Sequence, residues 1–265
     1  MTYRLMLLAL ALPALGGCGG GYILTAPDTT AVAGQAAPVV VRLQRQEFWL
    51  HCPPVPDAPM TFRLADGQVW CARSDKRGYA AVALPAPAEP GRHEVKVHLQ
   101  DNFGDTVAGA MSLYVLPADR PVVAVDLDCL PADPDRAGPA VEALKRVGAT
   151  SEIVYLSQEH GTSPAAAHAL LDGLGCPDGA VVPWKADDPW YARMPLPWRK
   201  PASSVPASLR ARIPGLWAAV SSNPAAVDRF KEAGLKAVLV GETVEARPDE
   251  QTETWPNLIL SKPKD

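Results

Sequence analysis

Two periodicities divide the chain. Between residues 22 and 116, short runs at 38–43, 60–64, 68–72, 78–84, 92–99 and 106–115 carry the apolar residues. Glu94-Val95-Lys96-Val97-His98-Leu99 alternates strictly, as a strand with one buried face does. Pro-rich breaks at 53–59 and 85–90 separate the runs, so this half reads as an all-β sandwich. From 122 onward the pattern changes. Short apolar runs at 122–125, 152–156, 179–182, 216–220 and 236–240 alternate with helical segments, and Ala140, Val141, Leu144 and Val147 keep helical spacing. Ser163-Pro164 and Asn223-Pro224 each read as an N-cap followed by proline at the first helical position, and Gly234 closes the last helix. Strands that alternate with helices predict a parallel sheet covered on both faces, with any ligand at the strand carboxyl ends.

The boundaries follow from these runs. Residues 22–116 form the β domain, expected to be an immunoglobulin-like sandwich; 117–121 is a linker; 122–246 is an α/β domain with a five-stranded parallel sheet; 247–265 is a polar tail, with a short strand at 258–260. Ahead of them, residues 5–15 are an apolar run too short to span a bilayer, which needs about 20 residues. The run closes in Leu15-Gly16-Gly17-Cys18, which resembles a bacterial lipoprotein box. That resemblance makes 1–17 a signal peptide, Cys18 the lipid-bearing residue and 18–21 the lipidated cysteine with its glycine tether. It implies an exported protein of the bacterial cell envelope, held to a membrane through Cys18. No acidic residue follows that cysteine, which by the same resemblance favours the outer membrane and its periplasmic side.

Charge narrows the partners. A formal net charge of −4 with 20% charged residues argues against a nucleic-acid partner, which demands a basic face. Export into an oxidising compartment permits a disulfide between Cys52 and Cys71; a zinc site from His51, Cys52, Cys71 and His93 is the alternative, without paired C-x-x-C spacing. His160 and His168 read as surface or capping residues. No G-x-S-x-G elbow and no glycine-rich phosphate loop occurs.

The chemistry concentrates where Pro121-Val122-Val123-Ala124-Val125 runs into Asp126-Leu127-Asp128. Alternation along a strand would aim both carboxylates at one spot at the strand's carboxyl end. This D-x-D resembles the first motif of the haloacid dehalogenase (HAD) superfamily, and the text from Val141 to Ser157, followed by GLGCPDGAVVP, looks most like its lipin and phosphatidate-phosphatase branch. The resemblance covers about 121–241 and implies a Rossmann-like fold with Asp126 as nucleophile and Asp128 as general acid/base. Ser157 and Lys200 would be phosphate ligands, and the two aspartates would hold Mg2+. The substrate would be a lipid phosphate or a small phosphomonoester. Cys129 and Leu130 depart from the family pattern. So does the fourth motif, where Val227 stands at the metal-binding acid's position and Asp228 comes one residue late. One residue is a rotation of about 100° on a helix. Two readings therefore stand: a Mg2+-dependent phosphatase, or a retired HAD-like binding or structural module. The Trp- and Pro-rich stretch 183–201, with Asp187 and Asp188 as alternative metal ligands, is either a substrate wall or a stapled loop.

Overall fold

A computed structural model of the chain describes residues 21–46, 52–100, 106–158, 164–184, 209–210, 213–241, 252–258 and 260. Cys18, His160, Ser163, Asp187, Asp188 and Lys200 lie outside the described residues. The first half is a two-sheet sandwich. One sheet has the order β1-β3-β6 (Tyr22–Thr25, Ala36–Arg45, Tyr79–Pro85). The other has the order β2-β8-β7-β4-β5 (Thr29–Val32, Thr106–Leu116, Gly91–Gln100, Pro59–Leu64, Val69–Arg73). Alternation drives the packing: Ala37, Val39, Val41 and Leu43 of β3 meet Phe62, Val95, Val97 and Leu113 of the facing sheet in one core. The first strand is split between the sheets. β1 pairs antiparallel with β3, the chain breaks at Pro27, and β2 pairs parallel with β8. Neither four-residue strand is prominent in the sequence. At Gly78 the chain has φ +80, and a Cβ there would collide with the Leu43 carbonyl oxygen, so the turn into β6 requires glycine.

The expected Cys52–Cys71 bridge does not form, and both thiols are free. On β5 the alternation turns Trp70 toward the core and leaves Cys71 exposed. Cys52 sits instead beside β3, where the Gln44 side chain donates to its carbonyl at 2.7 Å. His51 of the zinc alternative lies outside the described residues; among those described, no group of three His, Cys, Asp or Glu side chains is placed to hold a metal.

The second half is a parallel sheet ordered β11-β10-β9-β12-β13-β14. Its strands are Ala180–Trp184, Glu152–Gln158, Val122–Asp126, Leu216–Ser221, Lys236–Val240 and Thr252–Glu253. β9 is buried along its whole length, as a central parallel strand must be. Val123, Val125, Ile153 and Tyr155 face α1 (Pro134–Gly148), while Val122, Ala124, Val154 and Leu156 face α3 (Pro224–Glu232) through Ala226 and Phe230. α2 (Pro164–Leu174) packs Ala167 and Leu171 on the α1 side. Asn223 caps α3 through its side chain, and Gly234 follows with φ +74, both as the sequence predicts.

The sheet has six strands where five were expected, because the segment from 252 is folded and is not a free tail. β14 adds to β13, and Trp255, Leu258 and Leu260 enter the core on the α1 side. Arg146 clamps the segment by donating to the Pro256 carbonyl at 2.9 Å. Residues 258 and 260 are not in a strand.

A buried carboxylate joins the two halves. Asp28, between β1 and β2, accepts from the Ser112 amide (3.2 Å), the Val181 amide (2.9 Å) and His168 Nε2 (2.7 Å). The Val181 amide belongs to β11, the edge of the parallel sheet, so Asp28 covers part of an edge that would otherwise be open. His168 stacks on Tyr114, whose hydroxyl donates to Asp178 at 2.9 Å. It is therefore a junction residue, not the surface or capping residue expected. On the linker side Arg120 pairs with Glu152 at 2.7 Å and donates to the Gly148 carbonyl at 2.7 Å. Asp28→Ala strips three donors of their acceptor. It should lower unfolding free energy by about 3 kcal/mol in a denaturant titration. Glu142→Ala, at an exposed pair with Lys145 on α1, should change it by less than about 1 kcal/mol.

Candidate functional site

The strand order reverses beside β9: β10 and β11 lie on one side and β12 and β13 on the other. Such a switch point opens a crevice at the strand carboxyl ends, the usual place for a ligand in an open α/β sheet. Asp126 ends β9 at that point. It is completely buried, at 0% exposure. Its Oδ2 accepts from the Ser221 hydroxyl at 2.8 Å, and its Oδ1 from the Asp128 amide at 3.3 Å. Ser221 ends β12, whose register against β9 (Val220 opposite Val125) brings the two strand ends level. The Ser221 oxygen also accepts from the Asn223 amide at 3.1 Å, and Asn223 Oδ1 caps α3 by accepting from the Ala225 amide at 3.0 Å. One hydrogen-bonded chain thus runs from β9 through β12 into α3.

The two aspartates stand in different surroundings. The strand stops at Asp126, and Leu127–Cys129 form a 3-10 turn with Asp126 as its N-cap. Two residues along a 3-10 helix rotate by about two thirds of a turn, not the full turn that returns a strand residue to the same face. Asp128 is accordingly exposed while Asp126 points inward. Strand alternation, on which the expectation rested, therefore stops at Asp126 and does not direct Asp128. Cys129 is buried and donates its thiol to the Asp126 carbonyl at 2.7 Å.

Burial raises the Asp126 carboxyl above its ordinary range, and the neighbouring Asp128 charge adds to the rise. The Ser221 hydroxyl and the Asp128 amide oppose it. The Trp184 indole N–H also favours the charged form, although it makes no hydrogen bond of ordinary geometry. Trp184 stacks on Phe230 with ring centroids 4.7 Å apart. Burial also pushes the Cys129 thiol up, followed by the Asp126 charge.

Ser157 is buried at the end of β10, one residue beyond Leu156, the register partner of Asp126. Alternation places it with Ile153 and Tyr155, on the face opposite Asp126. Val227 is buried in α3, and Asp228 follows it half-buried. Asp126, Asp128 and Asp228 form no three-residue metal group, and by themselves the described residues do not fit Mg2+, which asks for near-octahedral oxygen ligands. The side-chain oxygen of Asn223 is engaged as the α3 cap. Ser221 escaped the sequence reading. The signal for it was positional: the residue that ends the strand after the switch.

No protein-family model matches the chain, and no curated protein matches it either. Among solved structures, a D,D-heptose bisphosphate phosphatase from B. bronchiseptica shares 16% identity over 52% of this chain and 94% of its own, with a TM-score of 0.32. The N-terminal immunoglobulin module of the Drosophila receptor tyrosine phosphatase DLAR shares 14% over 40% of this chain and 60% of its own, at 0.28. A carbohydrate acetylesterase from Xanthomonas citri shares 12% over 82% and 68%, at 0.34. The chain spans less than two thirds of the DLAR structures it resembles. Likenesses at these scores carry no argument about activity.

Because burial raises the folded Asp126 carboxyl above the ordinary carboxylate range, Asp126 contributes stability that is fully present below that range. That contribution is lost as pH rises through the raised folded value. Asp126→Asn cannot ionise. Melting temperatures of variant and wild type, compared from acid to neutral pH, should therefore shift in favour of the variant as pH rises. A difference that stays flat would show that Asp126 carries no such penalty.

Proposed function

We propose that this chain is a lipid-anchored bacterial envelope protein whose immunoglobulin-like sandwich carries a HAD-like domain that no longer turns over. That domain serves as a binding or structural module. The observation that carries this reading is Asp126: the residue at the nucleophile position has no exposed surface, and each carboxylate oxygen already accepts a hydrogen bond from its own fold. An attacking carboxylate needs an open path to phosphorus within about 3–3.5 Å. Here Ser221 occupies one oxygen and ties it to the start of α3. Val227, buried where the family's fourth-motif acid would stand, removes an anionic metal ligand. The central position of β9 and the order reversal beside it support the Rossmann-like assignment. The parallel β2–β8 pairing within a two-sheet sandwich supports the immunoglobulin-like one.

The second reading is a Mg2+-dependent phosphatase acting on a lipid phosphate or small phosphomonoester. What favours it is the exposed Asp128 just past the switch point, where it could exchange a proton with a leaving group. In that reading Asp126 attacks once Ser221 rotates away, Lys200 holds the phosphoryl group, and Ser157 would have to turn from the opposite face to join it.

The purified protein, assayed with Mg2+ on a chromogenic phosphomonoester and on phosphatidate, should give no turnover above a protein-free control. Calorimetry should show no Mg2+ uptake. Turnover that vanishes in Asp126→Asn would overturn the non-catalytic reading. Anchoring is tested separately: labelled fatty acid should enter the expressed chain and be absent from Cys18→Ser.

A further inference from the structure

The two sheets of the sandwich present opposite kinds of outer surface. On the five-stranded sheet, the outward positions of β7 are Arg92, Glu94, Lys96 and His98, a solvated face. On the three-stranded sheet, Pro38, Val40 and Arg42 of β3 stand beside Ala83, Ala81 and Tyr79 of β6. Apart from Arg42 these are apolar, they include no carboxylate, and Val40 and Tyr79 are each 40% exposed. An antiparallel sheet with one solvated face normally places polar residues on it. An apolar outer face therefore asks for a partner.

The chain itself says what lies nearest. β1, an edge strand of this same sheet, begins at Tyr22, four residues after Cys18. Four extended residues span at most ~14 Å. β1 is antiparallel to β3, and Tyr22 pairs with Arg45, so the tether enters at the Arg42–Arg45 end of β3. That end is basic. Arg45, Lys76 and Arg77 are exposed there, because the turn carrying the last two lies against Leu43, whose amide donates to the Gly78 carbonyl at 2.9 Å. Arg42 lies over the Tyr79 ring at 5.2 Å, makes no ion pair among the described residues and leaves its Nε unbonded. Asp75, whose carboxylate accepts from the Arg77 and Tyr79 amides, is the acid in this turn. The described part of the α/β domain docks elsewhere, through Asp28 and through Tyr114 of β8 on the other sheet.

We propose that the outer face of β1-β3-β6 is a bilayer-contact surface. The sandwich lies flat against the membrane that holds Cys18, with Pro38, Val40, Ala81 and Ala83 at the headgroup level. Tyr79 acts as an interfacial anchor, and Arg42, Lys76 and Arg77 meet anionic phosphates. Tyrosine and arginine suit that boundary because each combines an apolar body with a polar tip. Each basic side chain near an anionic surface adds attraction that salt screens. The proposal rests on the lipid-anchored reading.

The test is oxidative footprinting of the lipidated full chain in vesicles of phosphatidylethanolamine and phosphatidylglycerol, with flotation run in parallel. The reference is the anchor-free chain from Gly19. Tyr79 should be labelled severalfold less in vesicles than in the reference, while Cys71, exposed on the other sheet, should be labelled equally in both. The double variant Val40→Glu, Ala81→Glu should still float and should regain Tyr79 labelling, with an unchanged melting temperature showing that the sandwich is intact. Failure to float would reject the lipid anchor itself. Flotation with full Tyr79 labelling would reject the contact face alone. Protection of Tyr79 in the anchor-free chain that grows with protein concentration would assign the face to a second copy of the chain and overturn the proposal.

Discussion

The α/β half is organised around a carboxylate in the wrong solvent. Taking an ionised acid out of water costs several kcal/mol even after the protein relaxes, and Asp126 is wholly removed from water. What makes the position tolerable is the switch point itself. Where strand order reverses, the ends of β9 and β12 diverge toward different helices, and the amide at the start of α3 and the Ser221 hydroxyl need acceptors. A carboxylate at the end of β9 and a serine at the end of β12 satisfy one another and pass the connection to Asn223. An aliphatic residue in place of Asp126 would relieve the desolvation cost but leave the serine without its acceptor. Breaking one partner of a buried polar set costs more than never having had it.

Asp28 solves the same problem at the junction with different means. It gathers two backbone amides and a histidine from three elements far apart in sequence. Its contribution is therefore almost wholly long-range: it fixes how β2, β8, α2 and β11 meet. Arg120 does comparable work on the far side of the linker, where it ties the chain to the end of α1 and the start of β10. With both in place the sandwich and the α/β domain are joined by polar contacts on two sides, and the five residues at 117–121 do not act as a free hinge.

The strands of the α/β domain are easy to read in the sequence because a central parallel strand is buried on both faces and appears as an unbroken apolar run, as Val122 to Val125 does. Asn223-Pro224 and Gly234 are equally plain, since capping is local chemistry. What escaped depends on partners remote in sequence. β1, β2 and β14 have too few residues for periodicity and exist because β3, β8 and β13 offer them an edge. Ser221 and Asp28 acquire their roles from residues 95 and up to 153 positions away. Strand alternation from Asp126 to Asp128 failed on a local point, the 3-10 turn that replaces the last strand residue. The disulfide failed against alternation that was visible all along: a Trp70 directed inward leaves its neighbour Cys71 outside.

The sandwich has two outer faces with different demands, and the sequence treats them differently. The five-stranded sheet spends part of its outer face on the α/β domain, through Tyr114 directly and through Ser112 by way of Asp28, and leaves charged residues on the rest. The three-stranded sheet keeps an apolar face and gathers basic residues at the end where the chain arrives from Cys18. If solvent were the only neighbour, Pro38, Val40, Ala81 and Ala83 would offer no benefit over polar residues of similar β propensity, and the uncharged edge of β6 would carry an aggregation risk. A bilayer removes both objections: it takes up the apolar face, and it shields the edge from other chains. Because Asp28 and Arg120 couple the domains through buried and half-buried contacts, a sandwich oriented by the membrane would also orient the β9–β12 crevice. The position of that crevice relative to the membrane would then be set by the sheet edge that Asp28 covers, not by the length of the tether.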